Sequence, residues 1–161
     1  MYVPYQSLPD HARVWIYQSS RKFSKQEQEE ISTMSKAFVN QWTRHGENVH
    51  GSFTLLHEQF LIIAVDQSFV EVSGCSIDAS VKLIQEIQKH YDVDMLNKLA
   101  IAYKDKEEIK VVSISEFTQL VKLGTIHKET IVFNNMVDSK NDVETLWEIP
   151  ASQSWHTRLF N

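Results

Sequence analysis

The chain has one thiol, Cys75. It lies in the segment FLIIAVDQSFVEVSGCSIDASVKLIQEIQ, between an apolar run and a stretch with helical periodicity. A thiol in the first turn of a helix feels the partial positive charge of unpaired amides, which lowers its pKa and raises the thiolate fraction. A nucleophilic site also needs an imidazole base, a carboxylate to orient it and amides to hold an oxyanion. Here His45 or His50 would be the base, Asp66 the orienter, and the amides after Gly74 the anion holder. Ser73, Gly74, Ser76 and Asp78 stand at the same helix start and would suit anion or nucleotide binding without catalysis. The same residues have plainer uses. Free cysteine is among the most buried residue types and often only packs. A carboxylate in a first helical turn, as at Asp78, simply suits the helix dipole. A structural Cys75 is the expectation that the catalytic reading has to displace.

His45, His50 and His57 are spaced by five and seven residues, which matches neither a helical pair nor a zinc finger. No metal site is expected, and no motif asks for a cofactor. His11, His90, His127 and His156 are expected at the surface or partly buried, and Arg21 and Lys22 as solvated charges beside a helix start.

These residues depend on the elements that hold them. Residues 12–19, ARVWIYQS, alternate as a strand, with Val14, Ile16 and Gln18 on one face and Trp15 and Tyr17 on the other. Ser24 and Glu27 form a capping box. The helix they open puts Ile31, Met34, Phe38 and Trp42 on one stripe, and Gly46 is its expected stop. SFTLLHEQ and FLIIAVD read as two strands joined near His57–Gln59, the second apolar on both faces and therefore central. A second helix starts near Ser76, with Ile77, Val81, Ile84, Ile87 and Tyr91 at helical spacing. LAIAYKD and EIKVVS form a hairpin around Lys106–Glu107. A helix capped by Ser113 and Glu116 follows, and then the strand TIVFN. The tail, DVETLWEIPASQSWHTRLF, carries Trp147 and Trp155. They either dock the tail, which is the safer reading of an aromatic segment, or offer a binding surface.

The order strand, helix, strand, strand, helix, strand is that of an α+β, ferredoxin-like split βαβ body. Residues 12–104 would fill that body. Residues 105–161 would add a hairpin partner, a helix, a strand and the tail, all within one domain of 161 residues. Chain direction in such a body brings the connection 44–51 and the connection 66–78 to one end, so that His45, His50, Asp66, Cys75 and Asp78 converge.

Composition narrows the function classes. With a net charge of −5 and no run of Lys or Arg, the chain lacks the basic cluster that neutralises phosphates, so nucleic acid is not an expected partner. The longest apolar run, FLIIAV, is far short of the roughly 20 residues of a membrane span. The first residues lack the basic and apolar regions of a secretory signal. One cysteine forms no internal disulfide, so a reducing compartment, most simply the cytoplasm, is expected.

Three stretches carry a resemblance: SLPDHARVWIYQ, VDQSFVEVSGCSIDASV and TIVFNN with LWEIP. Together they resemble a family of small bacterial proteins often labelled "ABC transporter ATPase", over nearly the whole chain and most specifically at Ser73–Asp78. The label needs a G-x-x-x-x-G-K-[ST] loop to wrap phosphates. The glycines stand at 46, 51, 74 and 124, and the 46/51 pair is followed by Ser52, so the residues do not support it. Residues 113–133 are similar to GYF-like interaction modules, without their leading Gly-Tyr-Phe or Gly-Pro signature. With no complete catalytic signature, the first expectation is a noncatalytic binding or interaction protein, with a protein partner or a second copy of itself. The second is a small cysteine-dependent hydrolase or transferase.

Overall fold

The computed structural model describes residues 1–44, 46–68 and 74–161, without the side chains at positions 44 and 74–76. The fold is α+β, with antiparallel sheets, and divides into two compact units. The first is Met1–Leu96 with Asp138–Asn141; the second is Asn97–Val137 with Asp142–Asn161.

In the first unit β1 (Arg13–Gln18) leads to α1 (Lys25–Gln41), a small hairpin of β2 (Thr43–Arg44) and β3 (Glu47–Asn48), then β4 (Gly51–Leu56), β5 (Phe60–Val65) and α2 (Gly74–Tyr91). The sheet order is β1-β5-β4, with both pairings antiparallel. β5 is central, as its two apolar faces predict, and all six of its residues are buried. Tyr17, Leu61, Ile63 and Val65 line one face of the sheet and form a core with Ile31, Trp42, Leu83, Ile84 and Ile87 from the two helices.

Ser24 caps α1 by accepting the Glu27 amide, and the Glu27 carboxylate reaches back to the Ser24 amide at 2.8 Å. The helix stops at Gln41 rather than at Gly46, because Trp42 turns extended and its carbonyl accepts the Val49 N–H at 3.0 Å. Gly46, with φ +82°, turns the β2–β3 hairpin instead. Gly51 has a different role: a Cβ there would lie 3.2 Å from Val39 Cγ1 and 3.3 Å from Trp42 Cε3. Glycine at this point lets α1 rest closely on the start of β4.

The segment Asp138–Asn141 is held to the N-terminal arm. Val14 N–H donates to Asp138 O, Lys140 N–H to Ala12 O and Asn141 N–H to Asp10 O. The buried Lys140 ammonium donates to Leu8 O at 2.7 Å and Gln6 O at 3.2 Å and lies over the Tyr5 ring. A buried cation is tolerated here because carbonyl dipoles replace its water.

In the second unit β6 (Ala100–Asp105), β7 (Glu108–Ser113), β8 (Ile131–Phe133) and β9 (Glu148–Pro150) form a sheet of order β7-β6-β8-β9. α3 (Ile114–Lys122) covers it with Phe117, and α4 (Lys140–Thr145) precedes β9. The division therefore falls after Leu96, not after residue 104. The strand expected to complete the first sheet, β6, pairs with β7 and β8. A two-residue turn at Lys106–Glu107 makes that hairpin the local choice. The tail supplies a strand of this sheet and part of its core, and does not hang free.

Replacing Gly51 by alanine should push α1 off β4 and cost about 1–3 kcal/mol, the usual range for overpacking. A lower urea midpoint by tryptophan fluorescence would show this, whereas an unchanged midpoint would mean that α1 can slide aside.

Candidate functional site

Strand register builds the first candidate. Arg13 and Gly51 flank Val65 in the sheet. One step beyond, His50 precedes Gly51 and Asp66 follows Val65, and the Asp66 N–H donates to His50 O at 2.9 Å. Two residues before Arg13, His11 reaches the same corner: its Nε2 lies 2.9 Å from Ser68 Oγ and 3.9 Å from Asp66 Oδ1. Asp66 Oδ1 also accepts the Ser68 N–H at 2.9 Å. Burial pushes the Asp66 carboxyl up, but the Ser68 hydroxyl and amide and the charges of His11 and His50 outweigh it and leave it below its ordinary range.

The opposite end of the unit fixes the direction of α2. Arg21 forks onto Glu27, with both N–H···O distances 2.9 Å, and its Nη2 donates to Tyr91 O, the last carbonyl of α2, at 2.8 Å. Arg21 is thus a C-terminal cap and not a merely solvated charge. Its hydrogen bond, followed by the Ser24 amide, holds the Glu27 carboxyl down to about 2. With its C-terminus at this end, α2 begins at the end that holds His50 and Asp66.

Of the expected cluster, His50 and Asp66 meet. Asp78 is exposed on α2. His45 and Ser73 lie outside the described residues. The side chains of Cys75 and Ser76 do as well, although the backbone of Gly74, Cys75 and Ser76 forms the first turn of α2. His11 and Ser68 join a corner that sequence spacing did not assign to them. The trio of Ser68, His11 and Asp66 is not a relay, since hydroxyl and carboxylate both face the same nitrogen, Nε2. In a working relay the carboxylate holds the far nitrogen. Among the described residues, no three His, Cys, Asp or Glu side chains are arranged to hold a metal ion. No described helix is long and apolar enough to cross a membrane.

A second candidate lies along β4. Among the described residues this strand pairs with β5 on one side; on the other, Met1–Val3 bridges it at Gly51 and the turn Tyr5–Ser7 packs near it. There Gly51 N–H donates to Met1 O at 3.1 Å and Val3 N–H to Gly51 O at 2.9 Å. The outward direction of Gly51 fixes that of the alternate residues, so the N–H and C=O of Phe53 and Leu55 point to the open edge. Beside that edge runs a groove of about 610 Å³. α1 lines it with Lys25, Gln28, Glu29 and Ser32; β4 lines it with Phe53, Thr54 and Leu55, and Tyr2 closes it. The sequence held one signal for this site: β4 mixes polar and apolar residues where β5 is apolar throughout.

The aromatic tail packs into the second unit. Trp147 is buried, its Nε1 donates to Asn135 Oδ1 at 2.9 Å, and its ring meets Phe133 edge-on at 5.0 Å. An indole whose N–H is satisfied inside the fold is core. Trp155 is half-buried and stacks on His156 at 4.0 Å. His156, expected at the surface or partly buried, is 1% exposed, and its Nδ1 shares a hydrogen with Ser154 Oγ at 2.7 Å.

Burial lowers the pKa of His156 from 6.5 to about 4. The unfolded chain binds this proton first, so the contribution of neutral His156 to stability is complete above about 6.5 and is lost as pH falls toward 4. The full loss is about 3 kcal/mol. Urea midpoints of the second unit should fall across that window, and His156→Gln should flatten the slope. An unchanged slope in His156→Gln would assign the pH dependence to other groups.

Compared with known protein families, curated proteins and solved structures, the chain matches none.

Proposed function

We propose that the chain is a noncatalytic binding protein whose working surface is the open edge of β4, which takes an extended polypeptide as an added strand. One observation carries the reading: the outward N–H and C=O groups of Phe53 and Leu55 border a groove of about 610 Å³. Backbone groups give such a site its affinity, and the pockets beside them give its selectivity. The first unit reads as a ferredoxin-like split βαβ without its fourth strand, and the order β1-β5-β4 supports that reading. In the second unit the hairpin, capped helix and strand follow the order of GYF-like modules, which also suits binding. The lone cysteine suits a reducing compartment such as the cytoplasm.

Peptides selected against the purified protein should be extended and should protect the Phe53 and Leu55 amides from hydrogen exchange. They should lose about tenfold in affinity on Leu55→Pro, since proline removes an edge-facing donor without touching the β4–β5 ladder. Binders that ignore this substitution would place the site elsewhere.

A second reading, a cysteine-dependent hydrolase or transferase, is favoured by the Asp66 N–H bond to His50 O at the end where α2 begins. Cys75 would be the nucleophile, His50 (or His45) the base and Asp66 the orienter. Alkylation of the native thiol should then be fast, have a pKa near or below about 7, and slow in His50→Ala. Slow alkylation with an ordinary or raised pKa would rule this reading out.

A further inference from the structure

We infer that the occupant of the β4 edge is a second copy of this chain, paired antiparallel about a two-fold axis that passes near Thr54 and Ser32. The inference rests on the edge-binding reading above and names its partner.

Two contacts align α1 with β4. Phe23 N–H donates to Glu58 O at 2.8 Å just beyond the end of β4, and Val39 and Trp42 border Gly51 at its start. α1 therefore runs antiparallel to β4. Interpolating at about 1.5 Å per helical residue and 3.3 Å per strand residue sets Ser32 roughly level with Thr54. Both residues line the groove.

Charge on the α1 stripe is arranged around that level. Glu29 lies three residues before Ser32 and Lys36 four residues after it. A two-fold axis at Ser32 brings Glu29 of each copy to Lys36 of the other, so the stripe is complementary to itself, as a two-fold interface requires. Lys36 already leans to the groove side: its Nζ is 5.0 Å from the Tyr2 ring centroid, and that ring is 5.8 Å from Phe53. The backbone fits the same axis. Phe53 of each copy exchanges N–H···O=C bonds with Leu55 of the other, and the two half-buried side chains meet as an apolar cross-strand pair.

Beyond the Met1–Val3 arm at Gly51, residues 52–56 carry little protection of their own against such pairing. Proteins blunt open edges with lysine, proline or a bulge. Residues 52–56 are Ser, Phe, Thr, Leu and Leu, paired to β5 in unbroken register. The Met1–Val3 arm at Gly51 limits how far a second strand can slide. A peptide would gain the backbone bonds, but not the matched Glu29 and Lys36.

Sedimentation equilibrium over a concentration series tests this. The wild-type protein should be a dimer. Glu29→Lys and Lys36→Glu, both at exposed positions, should each weaken it by at least about tenfold by setting like charges opposite each other. The double swap E29K/K36E should restore it to within about threefold, and Leu55→Pro should abolish it. Circular dichroism and urea midpoints should confirm that every variant is folded. A wild type that stays monomeric at about 100 μM overturns the inference, as does a double swap no tighter than the single variants. A monomer that still binds peptides sensitive to Leu55→Pro keeps the edge-binding reading and loses only the second copy. A monomer that binds none loses both.

Discussion

The burial of β5 constrains the rest of the first unit. Phe60 to Val65 has no solvent-facing residue, so both of its edges must be paired and both of its faces covered. β1 and β4 supply the edges, and α1 and α2 cover one face. From that requirement follow the close seat of α1 on Gly51, the position of the β4–β5 turn, and the end of the sheet at which α2 begins. The turn itself is strained: His57 and Glu58 both take positive φ without glycine, and it is held by Phe23 N–H on Glu58 O and by the Gln59 amide on Ser19 O. Such a turn persists only where its surroundings fix it.

The same sheet leaves its two outer strands paired on one side along their length and on the other at one end. A three-stranded sheet with a central β5 exposes the outer edges of β1 and β4. β1 is met at Arg13 and Val14 by Asp138 and Ser139, and β4 at Gly51 by the N-terminal arm. Phe53, Thr54 and Leu55 of β4 line the groove. The open edge is thus a consequence of strand order and not an addition to the fold.

The polar corner of His11, His50, Asp66 and Ser68 belongs to the other end of this logic. Register sets His50 and Asp66 side by side, and the Ser68 amide and hydroxyl help to keep the carboxylate ionised. What it can do chemically is limited by geometry, since one imidazole nitrogen faces both the hydroxyl and the carboxylate. In the second unit, burial makes His156 a neutral core residue between an indole, a phenyl ring and a hydroxyl, and therefore a source of acid sensitivity.

Local rules determined much of this protein from sequence alone. The Ser24–Glu27 capping box, the Ser113 N-cap, the alternation of β1, the all-apolar run of β5 and the stripes of both long helices each depend on neighbours within a few residues. So did the meeting of His50 with Asp66, because hairpin register follows from alternation and turn length. Tertiary structure decided whatever depends on which strand pairs with which. It assigned Ala100–Asp105 to a second sheet, since a two-residue turn offers β7 at lower loop entropy than a return across α2. It buried His156, which polar neighbours in sequence had disguised, and put Trp147 in the core, as the docking reading of the tail expected. It also exposed the outer side of β4, because an edge is a property of the assembled sheet and no strand carries it alone.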